Sequence, residues 1–192
     1  MAQTLAVPVC GEIFVSKCRF IGCVRPVAGR EVALGVVEAL RREHPGAAHV
    51  CWALMAGGHS AANDDGEPGG TAGRLMLEVL RHQDLEGVLA TVVRYFGGVK
   101  LGAGGLVRAY TDAIAQALLG ADKRALRRTR TLACDVPYAM KGLLRRELAT
   151  AGAALLEVRH GSLMRIVFDT DEALWERLGD ATQGRAGWVD VD

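Results

Sequence analysis

The stretch Val93-Arg94-Tyr95-Phe96-Gly97-Gly98-Val99-Lys100-Leu101-Gly102-Ala103-Gly104-Gly105-Leu106-Val107-Arg108-Ala109-Tyr110 runs from apolar residues through five glycines into a helical pattern. Val88 to Tyr95 reads as a buried strand, Val92 and Val93 being good β-formers. Beyond the glycines, Val107, Tyr110, Ile114, Ala117 and Leu118 share one helical stripe, and Arg108, Thr111, Asp112 and Ala115 share another. The segment is thus strand, glycine loop, helix. Glycine admits positive φ and close backbone approach at an entropic cost. Free N–H groups at the helix start, beside Arg94, Lys100 and Arg108, would suit an anion such as phosphate. The plainer reading is a tight connection whose glycines solve a packing problem. The P-loop pattern is not met, since Lys100 is followed by Leu101, and no G-x-G-x-x-G occurs in a βαβ setting.

Working outward, residues 9–16 and 18–27 read as two strands, and Arg30 to His44 as a helix stopped by His44-Pro45-Gly46. His49 to Met55 reads as a short strand, and Gly57 to Gly70 as a polar loop. A helix follows over about residues 71–82, with Thr71 helping to cap it and Leu75, Val79 and Leu80 facing inward. The basic run Lys123–Arg130 marks a change of composition, which divides the chain into domains at residues 1–125 and 126–192. The second half reads strand, helix, strand, strand, helix, strand: Thr131–Val136, a helix through Met140 and Leu148, Leu155–His160, Leu163–Phe168, a helix near Trp175, and Trp188–Val191. That order is the ferredoxin-like pattern. The first half lacks regular alternation, so the class is α+β.

At 192 residues, 50% hydrophobic and 23% charged, the chain has the balance of a globular protein. A net charge of +1 argues against global wrapping by nucleic acid while leaving room for a local basic patch. The five cysteines, Cys10, Cys18, Cys23, Cys51 and Cys134, are odd in number and form no C-x-x-C, which points to reduced thiols and a cytoplasmic setting. Residues 1–8 lack the pattern of a signal peptide, no apolar run is long enough to span a bilayer, and no membrane partner is expected.

A second dense segment is Asn63-Asp64-Asp65-Gly66-Glu67-Pro68-Gly69-Gly70-Thr71-Ala72-Gly73. Asp64, Asp65 and Glu67 could ligate Mg²⁺ or act as acid and base; alternatively the aspartates cap turns and pair with Arg94 or Arg74. No metal-ligand spacing is evident, so neither a metal nor a cofactor is expected. His49 either lines the same cleft or is a satisfied half-buried histidine. Cys51 beside it could be a nucleophile, but alternation of side chains along a strand is taken to separate the two. Of the two aromatic residues that could stack on a base, Phe96 is expected to be the buried one and Tyr95 the available one.

With both segments in view, DDGEP-x-GTAG and RYFGG-x-KLG-x-GGLVRAY, the chain resembles the YigZ/IMPACT family. Lys17-Cys18-Arg19-Phe20-Ile21 is similar to that family's K-S-R-F-I opening, and Ala48-His49 to its A-T-H element. Cys18 stands where the family usually has serine, Leu75 where it has proline, and Gly69 where it has serine or alanine. The resemblance implies an N-terminal domain similar to ribosomal protein S5 domain 2, and a C-terminal domain similar to the last domain of translocation factor G. It also implies a role in translation: eukaryotic relatives look like regulators of the starvation response, acting through a partner of the kinase that phosphorylates an initiation factor. The reading that follows is a non-catalytic cytoplasmic regulator that binds RNA, or a ribosome-associated protein. Its anion surface comprises Arg94, Tyr95, Gly97, Gly98, Lys100, Gly102, Gly104, Gly105 and Arg108, with His49, Asp64, Asp65, Glu67 and Thr71 lining the cleft. The alternative is a small-molecule phosphotransferase or metal-dependent hydrolase using the same cleft.

Overall fold

The computed structural model describes residues 2–126, 130–170 and 172–190. It is a mixed α+β protein dividing into two compact units, Met1–Leu126 and Arg127–Asp192. In the first unit the strands are β1 (Gln3–Leu5), β2 (Val9–Val15), β3 (Cys18–Pro26), β4 (His49–Ala56), β5 (His59–Asn63), β6 (Val88–Tyr95) and β7 (Lys123–Ala125). The helices are α1 (Arg30–Glu43), α2 (Gly73–His82) and α3 (Gly102–Ala117). A five-stranded antiparallel sheet has the order β2-β3-β6-β4-β5, and β1 pairs separately with β7.

The sheet is covered on both faces. Cys18, Phe20, Cys51, Ala53, Val88, Ala90 and Val92 pack with α2 and α3, whereas Val50, Trp52, Leu54, Leu89 and Val93 pack with α1. Successive strand residues point to opposite faces, so the central strand β6, buried from Val88 to Arg94, reads as a continuous apolar run. α3 lies directly on β3: a Cβ at Gly22 would sit 2.5 Å from the Ala113 carbonyl oxygen. The two-residue turn from β2 to β3, Ser16-Lys17, has φ values of 47° and 66°, as expected of a tight hairpin that follows the strand twist.

Several expectations need correcting. The segment read as loop from Gly57 to Gly70 contains β5, a mostly exposed edge strand with too few apolar residues to announce itself. α2 buries Met76, Leu77 and Leu80, with Leu75 and Val79 only partly covered. Of the stripe expected on α3, Tyr110, Ile114, Ala117 and, just past its end, Leu118 are buried and only Val107 is partly exposed. Leu106, Ala109 and Ala113 are buried as well, alanines included because the helix sits close to the sheet. The cysteines are not all thiols: Cys10 and Cys23, direct cross-strand neighbours on β2 and β3, form a disulfide. Cys18, Cys51 and Cys134 remain free and buried.

The second unit contains β8 (Arg130–Val136), a short 3-10 turn at Tyr138–Met140, α4 (Lys141–Ala151), β9 (Leu155–His160), β10 (Met164–Thr170), α5 (Glu172–Thr182) and β11 (Gly187–Asp190). Its antiparallel sheet has the order β11-β8-β10-β9. Cys134, Val136, Ile166 and Phe168 pack against Leu144, Leu148, Leu174 and Leu178 of the two helices. Gly152, at φ 65°, ends α4 in the left-handed conformation common after a helix. Of the basic run 123–130, residues 127–129 lie outside the described residues, as does Val191 at the end of the expected last strand.

Candidate functional site

Strand register assembles the centre of the site. On β3, β6 and β4, Phe20, Arg94 and His49 are cross-strand neighbours, so all three lie on the face covered by α2 and α3. One step along, Cys51 lies opposite Val92 on the same face. His49 and Cys51 are two positions apart, not adjacent, and period-two alternation puts them together; separating them by face was an error. Both contact the acidic loop: His49 Nδ1 donates to the Asp65 carbonyl at 2.7 Å, and Cys51 Sγ lies 3.0 Å from the Asp64 carbonyl.

Glu67 joins the two signature segments. Only 8% exposed, it accepts at Oε1 from the Arg94 guanidinium and from the Tyr110 hydroxyl at 2.7 Å. Its second oxygen lies 3.8 Å from His49 Nε2. Cys51 Sγ lies 3.3 Å from the Tyr110 oxygen, extending the chain to a fourth group. Arg94 Nη2 reaches Cys18 Sγ at 3.7 Å, and the Gly97 amide donates to the same sulfur at 3.3 Å. Arg94 Nε is buried without a partner.

Burial is the largest influence on Cys51, Tyr110 and Arg94. It pushes the Cys51 thiol up to about 12, an effect that the nearby carboxylates reinforce and the Tyr110 bond opposes. It raises Tyr110 as well, with Cys51 and Glu67 adding to the shift. Burial alone would disfavour the Arg94 charge, but bonds to Glu67 and Cys18 outweigh it and the pKa is raised. The core is therefore one fixed ion pair with neutral Tyr110 and Cys51 around it.

The aspartates act on backbone and arginine. Asp64 accepts from the amides of Gly70 at 2.8 Å, Ala72 at 3.2 Å and Gly73 at 2.7 Å, and so caps the start of α2 from outside the helix. Asp65 accepts from Arg41 at 2.8 Å and from the Val50 amide at 2.7 Å; its partner is Arg41 of α1, neither Arg94 nor Arg74. Thr71 is buried and donates to the Pro68 carbonyl, closing the turn without capping α2. Gly73 is pressed on β5, where a Cβ would lie 2.7 Å from the Asn63 amide nitrogen. Among the described residues, no group of three or more His, Cys, Asp and Glu could hold a metal ion.

The proposed anion surface divides in two. Arg94 is only 5% exposed and is held by Glu67. Tyr95 points to the opposite sheet face, where its hydroxyl lies 2.8 Å from His44 Nδ1 at the end of α1. The exposed aromatic is Phe96, at 52%, reversing the expected assignment: it falls past the end of β6, and Arg94 fills the interior beneath it. Gly97 belongs to the scaffold, because a Cβ there would lie 2.1 Å from the Lys17 carbonyl carbon and oxygen. Gly98, Lys100, Gly102, Gly104 and Arg108 are exposed, and Gly105 is partly so. Gly98 and Gly102 have φ of 86° and 70°, which turn the chain into α3. No described side chain accepts from the first amides of α3, and neither Lys100 nor Arg108 has an acidic partner among the described residues.

Tyr110, Cys18 and Arg41 were not recognised as parts of the site in the sequence. Tyr110 offered one signal, since a tyrosine on an apolar stripe needs a partner for its buried hydroxyl.

Comparison with known proteins places both segments within a matched region. The Impact N-terminal domain model matches residues 16–118. The chain is 38% identical over 184 residues to the IMPACT family member YvyE of Bacillus subtilis (strain 168), covering 91% of this chain and 84% of that protein. It is 44% identical over 118 residues to the IMPACT family member YigZ of Escherichia coli (strain K12), covering 59% of this chain and 58% of that protein. A crystal structure of a hypothetical protein superposes with a TM-score of 0.75 at 29% identity, covering 100% of this chain and 97% of the other. The matched region holds both segments that meet at Glu67, and the chain belongs to the IMPACT family.

Proposed function

We propose that this protein is a non-catalytic binding protein acting in or near translation, and that it holds RNA phosphates at the start of α3. One observation carries the reading: an exposed helix start whose first amides meet no side-chain acceptor among the described residues, flanked by Lys100 and Arg108, which have no acidic partner among those residues either. Unpaired amides at a helix N-terminus favour an anion, and adjacent cations add charge-assisted bonds. The neighbouring carboxylates support binding over metal-assisted chemistry. Asp64 is engaged by three amides, Asp65 by Arg41 and an amide, and Glu67 by Arg94 and Tyr110. In this reading the first unit is of the ribosomal protein S5 domain 2 type. The second unit is ferredoxin-like and supplies a further contact face.

The test is fluorescence anisotropy with a labelled RNA across a salt series, for the wild type and the Lys100→Ala/Arg108→Ala double variant. Affinity should fall with salt, and the variant slope should be shallower by about 1.4 units if two phosphate contacts to a single strand are lost. Identical curves, or no binding at low salt, would refute the reading.

A further inference from the structure

Phe96 is the large aromatic side chain left exposed beside the glycine loop. A single exposed apolar residue is ordinary, but its mounting here is not. β6 ends at Tyr95, immediately before it, and Gly97 follows, so tightly apposed to Lys17 that no side chain could be accommodated there. The Gly97 amide is bonded to buried Cys18, which Arg94 also contacts. The Arg94 guanidinium, fixed by Glu67, lies 5.8 Å from the centre of the Phe96 ring. The backbone is thus held on both sides of the ring, with the Arg94 charge near it. Lys17, whose backbone lies against Gly97, and Lys100 and Val99 of the same loop are exposed, and neither lysine has an acidic partner among the described residues.

We infer that Phe96 is a stacking platform for an unpaired base, so that the nucleic acid recognised at this loop is single-stranded RNA. The inference rests on the phosphate-binding reading above and names its substrate class. A ring on a fixed backbone can stack on any base face at reduced entropic cost, and exposed cations beside the loop can follow the adjoining phosphates. In a duplex the base faces are covered by their neighbours, so the ring would have nothing to stack on. Charge complementarity favours a polyanion as the occupant, and the exposed ring favours one with free aromatic faces.

The experiment compares wild type, Phe96→Ala, Phe96→Tyr and Lys100→Ala/Arg108→Ala on three probes: a short single-stranded RNA, the duplex of the same sequence, and an acidic peptide of matched charge. Circular dichroism and denaturation midpoints establish that each variant is folded. Phe96→Ala should weaken single-strand binding by roughly five- to a hundred-fold, with the salt slope unchanged because no phosphate contact is lost. Phe96→Tyr should retain affinity, and Phe96→Ala should leave any duplex binding unaltered. If Phe96→Ala binds like wild type while the double variant still lowers the slope, stacking is refuted and the phosphate reading stands. Equal weakening on single strand and duplex also refutes stacking. Binding of the acidic peptide with the same dependence on Phe96 makes the surface a protein-docking face and overturns the proposal. No effect of any variant on RNA removes the phosphate reading together with the stacking platform.

Discussion

Helices α2 and α3 cover the same sheet face, and each follows a glycine-rich segment, but their N-termini are handled differently. The start of α2 carries its own anion: Asp64 gathers three backbone amides and neutralises the helix end. Among the described residues the start of α3 has no such carboxylate, and exposed cations stand before and within its first turns. A helix start that is satisfied internally is a structural part. One left open beside free cations is a surface that an outside anion can complete. The acidic signature is engaged internally, whereas in the glycine signature Arg94 and Gly97 are built into the fold and Gly98, Lys100, Gly102, Gly104 and Arg108 stay exposed. Glu67 couples them, through Arg94 before the glycine loop and Tyr110 on α3.

The largest expected effect is at that coupling. Glu67→Ala leaves the Arg94 charge buried and unpaired, and should cost about 3–5 kcal/mol in denaturant titration. A loss below about 1 kcal/mol would mean that the two starts are built independently. Next is the internal cap. Asp64→Ala should destabilise by about 2–3 kcal/mol, and Asp64→Asn, which keeps one acceptor oxygen, by less. Equal cost for Asp64→Ala and Lys100→Ala would erase the distinction between the two helix starts, since an exposed unpaired lysine should stay within about 0.5 kcal/mol.

The pH dependence examines the sealed side of the comparison. The Cys51 thiol is pushed up to about 12 when folded, whereas the unfolded chain releases its proton near the ordinary thiol value. The unfolded state therefore binds fewer protons as pH rises, and this contribution is lost progressively from about pH 9 to about pH 12. Stability measured over that range should fall less steeply in Cys51→Ala than in wild type. An unchanged slope would mean that Cys51 is not sealed beneath the acidic loop. The smallest effect is the sharpest test of the open start. Leu101→Asp places a carboxylate ahead of α3, as Asp64 is placed for α2, and should lower RNA affinity about two- to five-fold relative to Leu101→Asn.

Much of the fold could be read in the residues. β2, β3, β6 and α1 announced themselves because apolar period and β-branched content agree with burial on known faces. β5 did not, because an edge strand such as His59–Asn63 is specified by pairing with β4 more than by its own composition. At the site, the exposed cations were legible as charge beside glycine. Roles that depend on facing were not. Arg94 and Tyr95 are neighbours in sequence, yet alternation sends one under α3 and the other to α1. Phe96 is exposed because β6 has ended before it and Arg94 already fills the interior.

The amino-acid sequence by itself determined the α+β class, the position of the two signature segments and the clustering of glycine with positive charge. These follow from local periodicity, composition and chain order, which do not need contacts to be known. Only the tertiary structure decided that Glu67 joins the segments, that Arg94 is buried while Lys100 and Arg108 remain exposed, and that Asp64 closes α2 while no described side chain closes α3. Partners separated by tens of residues are chosen by strand register and by the limited space beneath two helices. A charge becomes structural or available according to which side of the sheet it meets.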